Sequence, residues 1–233
     1  MERGALTLGL DEAGRGPVLG PMVLAGVAVT SAQAAQLSRA GVADSKRFGA
    51  GVAAHARRLD LAARIRAVAT AVLVRVVDVA EIDRRVRLGQ LNALEREHGE
   101  WILSHAPCAA RIIADGARMF APLTARFPHL EARDRAEAVH VAVAAASVVA
   151  KARRDELFLL IARRYEAAFG RFAGGGYDNP PTRAFLAEHA RRHGGLPPEA
   201  RQSWGAKSQA RDMCPPTHTE AAGGASGLHV RPR

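Results

Sequence analysis

Two neighbouring acids, Asp11 and Glu12, stand at the end of an alternating apolar segment, directly before the sequence Ala-Gly-Arg-Gly-Pro. In a regular strand neighbouring side chains point to opposite faces, so these carboxylates can share a site only where the strand ends. The glycines and the proline that follow predict that the strand ends at the acids. We expect both carboxylates to reach one cation beside accessible backbone N–H groups, an arrangement suited to metal-dependent attack on a phosphodiester.

The overall charge points to a polyanionic partner. The 233 residues carry a formal net charge of +10, although a chain with a general preference for arginine would give the same value. Only Lys46, Lys151 and Lys207 are lysines. A lysine kept in such an arginine-rich chain indicates a position where a compact ammonium is needed, and Lys46, after Asp44-Ser45, suits a phosphate contact.

Several classes of protein are disfavoured by composition. Cys108 and Cys214 are too few for a disulfide framework or a zinc site, which favours a reducing compartment. The longest nearly apolar run, residues 139–150, is too short to cross a bilayer, and the first residues do not resemble a secretory leader. We therefore expect a cytoplasmic protein that binds no membrane. Nucleotide-binding loops and the Gly-x-Ser-x-Gly hydrolase motif do not occur in the sequence.

Apolar periodicity predicts strands followed by alternating helices and strands, which indicates an α/β or α+β domain. The predicted strands are Leu6–Leu10, Met22–Val29, Thr70–Val77 and Arg111–Asp115. The predicted helices are Ser31–Arg39 with Ser31 as cap, Val52–Ala69, Glu81–His105 with an interruption near Gly89, Val141–Phe169 and Thr182–Arg192. We predict a catalytic domain over residues 1–170, a helical substrate-binding part over 171–205, and a disordered tail over 206–233, which is poor in large apolar residues.

One helix face of the predicted segment Val141–Phe169 carries polar groups. Ser147, Lys151 and Asp155 are spaced by four residues and so lie on the same side of the helix. Lys151 is positioned to bind a phosphate or to support an acidic cluster, while a surface ion pair with Asp155 is the simpler interpretation.

Taken together, these segments resemble prokaryotic ribonuclease HII, the type 2 ribonuclease H, over residues 6–204. The resemblance rests on segments that occur in the family's order: 9–17 with Gly20-Pro21, Asp44-Ser45-Lys46, Ala114-Asp115-Gly116, 145–151 with Arg154-Asp155, Gly176-Tyr177, Thr182 and Arg201-Gln202-Ser203-Trp204. It implies the ribonuclease H-like mixed sheet flanked by helices, with a small helical C-terminal part.

The resemblance also implies four acids that hold two divalent ions, Mg²⁺ or Mn²⁺. Asp11, Glu12 and Asp115 match three of those positions. At the fourth, the family usually has an aspartate where this chain has Glu137, in a sequence context that differs from the family's, and Asp134 is the alternative if the loop register shifts. Hard oxygen ligands fit either ion.

For the substrate, the resemblance implies RNA–DNA hybrids and duplex DNA with single embedded ribonucleotides, cut by a protein expected to be a monomer. The backbone of Gly14-Arg15-Gly16 is expected to read the ribose 2′-hydroxyl, and Tyr177 to stack on the sugar of the adjacent DNA nucleotide. The expected substrate-binding residues are Gly14, Arg15, Gly16, Lys46, Ser147, Lys151 and Tyr177.

Two alternatives remain open from the sequence. The unusual surroundings of Glu137 are compatible with a hybrid-binding protein that cleaves weakly or not at all. A different nuclease with the ribonuclease H-like fold, such as a junction resolvase, is the third hypothesis.

Overall fold

A five-stranded mixed sheet lies at the centre of the molecule, in a computed structural model that describes residues 5–42, 49 and 52–204. Its order is β3-β2-β1-β4-β5; the first three strands are antiparallel neighbours, while β4 runs parallel to β1 and to β5. The strands are β1 Leu6–Ala13, β2 Met22–Thr30, β3 Ala71–Val77, β4 Arg111–Asp115 and β5 Leu130–Arg133. The predicted fold class, a mixed sheet flanked by helices, is confirmed.

Helices cover both faces of this sheet. They are α1 Ser31–Arg39, α2 Val52–Val68, α3 Val79–Arg87, α4 Leu91–His105, α5 Ala117–Phe120, α6 Val141–Phe169 and α7 Pro180–His193, with 3₁₀ turns at Ala121–Ala125 and Ala136–Ala138. On one face α1, α2 and α6 bury alternate residues of β2 such as Val27 and Val29. On the other face α3 and α4 cover Leu8 and Leu10. None of the helices in the described ranges is long and apolar enough to cross a membrane.

Glycines set the closest approaches between these layers. A Cβ built on Gly9 would lie 2.2 Å from the backbone carbon of Ala142, so the start of α6 packs directly on β1. On the opposite face a Cβ on Gly26 would lie 2.4 Å from Ile102 of α4. These contacts fix α6 and α4 against the two central strands, on either side of the acids of β1.

Most predicted element boundaries are confirmed within a few residues, and the differences have local causes. Ser31 is not the cap of α1: the Thr30 side chain accepts from Gln33 N, and the Gln33 side chain accepts from Thr30 N. The predicted long helix is interrupted at Gly89, whose φ is +68°, and becomes α3 and α4. Helix α7 begins earlier than predicted because Asn179 caps it and prolines suit its first turn.

Strand β5 was not predicted from the sequence. Its four residues, Leu130–Arg133, bury few side chains and show little alternation. The predicted Lys46 contact and the predicted disordered tail lie outside the described residues. The proposed division into a catalytic domain and a C-terminal part stays a prediction, although α7 packs through Phe185 near Phe158 and Ile161 of α6.

Candidate active site

The two acids of the sequence motif lie inside β1. Asp11 is paired with Ala25 and Glu12 with Leu24, and the strand continues to Ala13. The prediction that the strand ends at the acids is therefore wrong. Because a strand alternates its side chains, Asp11 points to the face covered by α6, and Glu12 points to the face covered by α4.

Asp11 is buried, with 5% of its surface exposed, and it lies among both acidic and polar groups. Burial, followed by the charge of Glu12, raises its pKa to about 7; a hydrogen bond from Ser147 and the charge of Lys151 act in the opposite direction. Ser147 and Lys151 are the α6 residues that the sequence placed on one helix face. The structure thus brings this predicted face to the β1 carboxylate.

Asp115 ends β4 beside the same part of β1, one residue after Ala114, which is paired with Leu10. Its carboxylate accepts a hydrogen bond from the backbone of Ala136 at 3.2 Å. The pKa of Asp115 is raised to about 7 by burial, by a hydrogen bond with Glu137 and by the charge of Asp11. A hydrogen bond between two carboxyl groups needs one shared proton, so these two acids cannot both be ionised while it persists.

The two candidates for the fourth acid have different surroundings. Glu137 lies in the 3₁₀ turn before α6, is 4% exposed, and contacts Asp115. Asp134 is exposed, and its carboxylate accepts a hydrogen bond at 2.8 Å from Ala117 N at the start of α5. Of these two, Glu137 lies against Asp115, whereas Asp134 makes a capping contact.

Glu12 points to the other face of the sheet, and its charge interacts with acids on both faces. Its pKa is raised to about 7, because burial and the charges of Glu95 and Asp115 outweigh the opposing charge of Arg15. The charge of Asp11 raises the pKa of Asp115. Electrostatic interactions therefore link four acids into one group: Asp11, Glu12, Asp115 and Glu137. We call these four residues the acidic cluster.

Arg15 is held by α4. Its guanidinium donates to the fully buried Glu95 and, at 2.6 Å, to Asn92 Oδ1. Glu95 was not identified as a site residue from the sequence, where it is one of several acids on an amphipathic helix. The backbone of Arg15 therefore belongs to the turn, while its side chain is anchored on α4.

The turn Gly14-Arg15-Gly16 lies beside Tyr177. Gly14 is buried with φ +87°, a conformation that favours glycine, and Gly16 is exposed. A Cβ on Gly16 would lie 3.7 Å from Cε1 of Tyr177, whose side chain is 53% exposed. An open groove of about 420 Å³ beside the turn is lined by Arg15, Gly16, Val86, Gly89, Leu91 and Trp204. The predicted turn and the predicted tyrosine thus lie together on an accessible surface.

The remaining polar residue of the α6 face, Asp155, has other partners. Its carboxylate pairs with Arg58 of α2 at 2.7 Å and approaches His55 at 3.4 Å. Sequence spacing had suggested a pair with Lys151, whose charge favours ionised Asp11. Asp155 therefore fastens α6 to α2.

Two buried arginines near the turn, Arg154 and Arg201, were not identified as functional from the sequence. Both lie inside segments that match the family, which was the available signal. Arg154 donates to the carbonyl of Leu19 at 3.1 Å and lies 5.8 Å from the Tyr177 ring centre. Each is almost fully enclosed.

The acidic cluster fits a hard divalent cation by the chemistry of its donors. Burial and mutual repulsion hold protons on carboxyl groups that a cation would replace, and oxygen donors suit Mg²⁺ or Mn²⁺. Among the residues that the structure describes, no three His, Cys, Asp or Glu side chains are already drawn together as a metal-binding group.

Comparison with protein families gives a match over most of the chain. The family model described as ribonuclease HII matches residues 8–207. Curated relatives include ribonuclease HII of Methanosarcina acetivorans, 33% identical over 84% of this chain and 91% of the relative. Ribonuclease HII of Pyrococcus furiosus is 34% identical over 84% of this chain and 87% of the relative.

Solved structures agree with this match. Ribonuclease H2 from Pyrococcus horikoshii superposes with a TM-score of 0.74 at 27% identity, covering 89% of this chain and 98% of that one. A chain of the complex of PCNA with ribonuclease HII from Archaeoglobus fulgidus superposes with a TM-score of 0.71 at 31% identity, covering 88% and 96%.

Proposed function

Since this chain belongs to the ribonuclease HII family and is therefore a ribonuclease H, we propose that it cuts at single ribonucleotides embedded in duplex DNA as well as in the RNA strand of RNA–DNA hybrids. The observation that supports this most directly is the acidic cluster beside an accessible glycine turn. The role of the protein would be the removal of ribonucleotides during DNA replication and repair.

The acidic cluster is the proposed metal site. Asp11, Glu12, Asp115 and Glu137 would hold two divalent ions, Mg²⁺ or Mn²⁺. When bound, such ions activate a water and stabilise the departing 3′ oxygen, giving 5′-phosphate and 3′-hydroxyl ends. Lys151, which already favours the ionised form of Asp11, would keep that carboxylate ready for an ion as the pH falls toward 7.

The turn is the proposed reader of the ribose. The side chain of Arg15 is engaged with Glu95, so the backbone of Gly14-Arg15-Gly16 is the part that would meet the 2′-hydroxyl, the group that distinguishes RNA from DNA. Tyr177, next to Gly16, would stack on the neighbouring sugar. Ser147 and Lys151 on α6, and Lys46 outside the described residues, complete the proposed substrate-binding set.

A nicking assay tests this function. A DNA duplex with one ribonucleotide, an RNA–DNA hybrid, an all-DNA duplex and a branched DNA are incubated with Mg²⁺ or Mn²⁺. We expect a single nick at the ribonucleotide, cleavage of the hybrid, and intact all-DNA substrates. A folded, duplex-binding protein that leaves the ribonucleotide uncut with both metals would contradict the proposal, and cleavage of the branched DNA would favour a junction resolvase.

A second candidate is a hybrid-binding protein with weak cleavage. It is favoured by Glu137, a longer side chain than the family's aspartate, and by the contact of its carboxyl with Asp115. In that case Glu137→Asp raises the cleavage rate strongly while the Kd for the hybrid stays the same. If Glu137→Ala abolishes an existing activity, this candidate fails.

We also propose that the protein works as a cytoplasmic monomer, with residues 171–205 as a substrate-binding part. The relative from Archaeoglobus fulgidus was solved in complex with PCNA, so we propose a PCNA-like protein as a partner to test. Light scattering on the purified protein gives the mass directly, and a dimer mass at micromolar concentration would contradict the monomer.

A further inference from the structure

The buried side chain of Arg201 forms hydrogen bonds with the backbone of the glycine turn. This residue is 2% exposed, and its guanidinium donates to three carbonyl oxygens. The bonds run to Gly14 O at 2.6 Å, Arg15 O at 3.0 Å and Gly20 O at 2.9 Å. One planar group therefore joins both ends of the loop between β1 and β2.

These bonds fix the direction of two peptide groups. In a planar trans peptide the N–H points opposite to the C=O. The carbonyls of Gly14 and Arg15 point toward Arg201, so the N–H groups of Arg15 and Gly16 must point away from it. Arg201 thus turns two backbone donors away from the protein interior, at the place where Gly16 is exposed beside Tyr177.

Arg201 is itself anchored on two sides. Its backbone N–H donates to Val18 O at 2.8 Å, and Gly20 N donates to Glu199 O at 2.8 Å. The next two residues donate their backbone N–H groups to the buried carboxylate of Asp83 on α3, at 2.9 and 3.0 Å. The segment 199–203 therefore lies fixed between α3 and the turn.

No other side chain type can make this set of bonds. A guanidinium offers five N–H donors in a rigid plane, whereas the ammonium of lysine is a compact point charge on a flexible stem. Burying a cation whose hydrogen bonds go to neutral carbonyl oxygens costs free energy. This cost indicates that the turn conformation stabilised by Arg201 is important.

We propose that Arg201 is a positioning residue for ribose recognition, which acts by holding the Gly14-Arg15-Gly16 backbone with its donors toward the substrate. This rests on the proposed function, because nicking at a ribonucleotide is what makes the turn a reader of the 2′-hydroxyl. Arg201 touches no reacting atom. Its loss should weaken productive binding of a ribonucleotide and leave general duplex binding alone.

The test compares Arg201→Lys with a matched control, Arg111→Lys, which makes the same substitution at an arginine that donates to Glu131 away from the turn. Both are compared with the unmodified protein for kcat/KM at a single embedded ribonucleotide and for Kd on the all-DNA duplex of the same sequence. Each rate is divided by the concentration of folded protein, which circular dichroism measures. We expect Arg201→Lys to lower kcat/KM by about 10- to 100-fold, as for the loss of one or two oriented hydrogen bonds, with Kd changed less than twofold. Arg111→Lys should keep kcat/KM within threefold.

The inference is overturned if Arg201→Lys keeps kcat/KM within threefold, or if the Kd for all-DNA duplex rises by the same factor as kcat/KM falls. Backbone order parameters of the unmodified protein, from NMR relaxation, test the clamp without any variant. The N–H groups of Arg15 and Gly16 should be as rigid as those of β1, with S² of about 0.85, and values below about 0.6 would contradict the clamp. If the unmodified protein does not nick at all, the proposed function fails, while the order parameters still decide whether the turn is fixed.

Discussion

Asp11 and Asp83 are buried to nearly the same extent, 5% and 6% exposed, yet their surroundings are opposite. Asp83 accepts hydrogen bonds from Gln202 N, Ser203 N and the Ser203 hydroxyl. Asp11 lies next to Glu12, and burial and that neighbouring charge raise its pKa.

The difference separates a structural acid from a functional one. A buried carboxylate that is fully hydrogen-bonded stabilises the fold, because removing it leaves its donors without partners. A carboxylate placed among carboxylates makes the fold less stable, and a cation at the proposed metal site would offset that cost. Burial alone does not distinguish the two residues, whereas their partners do.

The largest expected effect is a reciprocal pair of substitutions. Asp11→Asn should lower nicking on the order of 10³-fold or more, because a metal ligand supplies several kcal/mol to the transition state. It should leave Tm unchanged or raise it, since a repelling charge is removed. Asp83→Ala should instead lower stability by about 1–3 kcal/mol and lower the specific rate far less than Asp11→Asn does.

Thermal unfolding and single-turnover nicking on both variants check this pair. Asp83→Asn is a useful companion, because it keeps the size of the side chain and one acceptor. If Asp11→Asn were as active as the unmodified protein, Asp11 would not be a metal ligand.

The next-largest effect distinguishes Glu137 from Asp134 as the fourth proposed metal ligand. Glu137→Gln should lower nicking about 100-fold, since it removes charge from the acidic cluster but keeps the shape of the side chain. Asp134→Asn should change nicking less than threefold, because its carboxylate contacts Ala117 N outside that cluster. Steady-state rates at saturating Mg²⁺ measure both, and the reverse ranking would assign the fourth ligand to Asp134.

Much of the fold was accessible from the sequence because its signals are local. Apolar residues such as Leu8 and Leu10 alternate along β1, and β2 is a continuous apolar run after Gly20-Pro21, so the strands could be placed within a few residues. The interruption at Gly89 was predicted for the same reason. Strand β5 could not be predicted, since it is held by pairing with β4 rather than by its own pattern.

The partners of the site residues could not be predicted, because they come from distant parts of the chain. The family resemblance indicated Asp11, Glu12 and Asp115, but nothing local tells that Arg15 meets Glu95, or that Arg201 meets Gly14. The position of Asp11 and Glu12 within β1 was also missed. The glycines after them mark a turn, but β2 pairs with the strand up to Ala13.

Glu95 is an intermediate case between the two aspartates. It is fully buried, and its pKa is raised to about 7 because burial outweighs the charge and the hydrogen bond of Arg15, which lower it. Glu95→Gln removes the charge but keeps an acceptor, and because Arg15 is partly exposed we expect a cost of roughly 1–2 kcal/mol. Denaturant unfolding measures this cost, and nicking should fall about tenfold as Arg15 is released from α4. A loss as large as that of Asp11→Asn would place Glu95 with the metal ligands instead.

The smallest effect expected is a pH-dependent shift of Tm. The pKa values of Asp11, Glu12 and Asp115 are raised to about 7 by burial, from ordinary values of 3.8 for aspartate and 4.5 for glutamate. The folded protein therefore binds more protons than the unfolded chain between about pH 4 and 7, so these groups make folding less favourable as the pH rises through that window. Mg²⁺ competes with the same protons, and its stabilising effect should grow with pH.

Between pH 8 and pH 6, one carboxyl with a pKa of about 7 weakens ion binding roughly tenfold, about 1.4 kcal/mol. The increase in Tm caused by 10 mM Mg²⁺ should accordingly be about 3–6 °C larger at pH 8 than at pH 6, as scanning calorimetry can measure. Asp83→Ala should retain this difference, since Asp83 has its own donors, and Asp11→Asn should lose most of it. An increase in Tm that is the same at both pH values would mean that Mg²⁺ does not bind through these carboxyl groups, and the contrast between Asp11 and Asp83 would then need another cause.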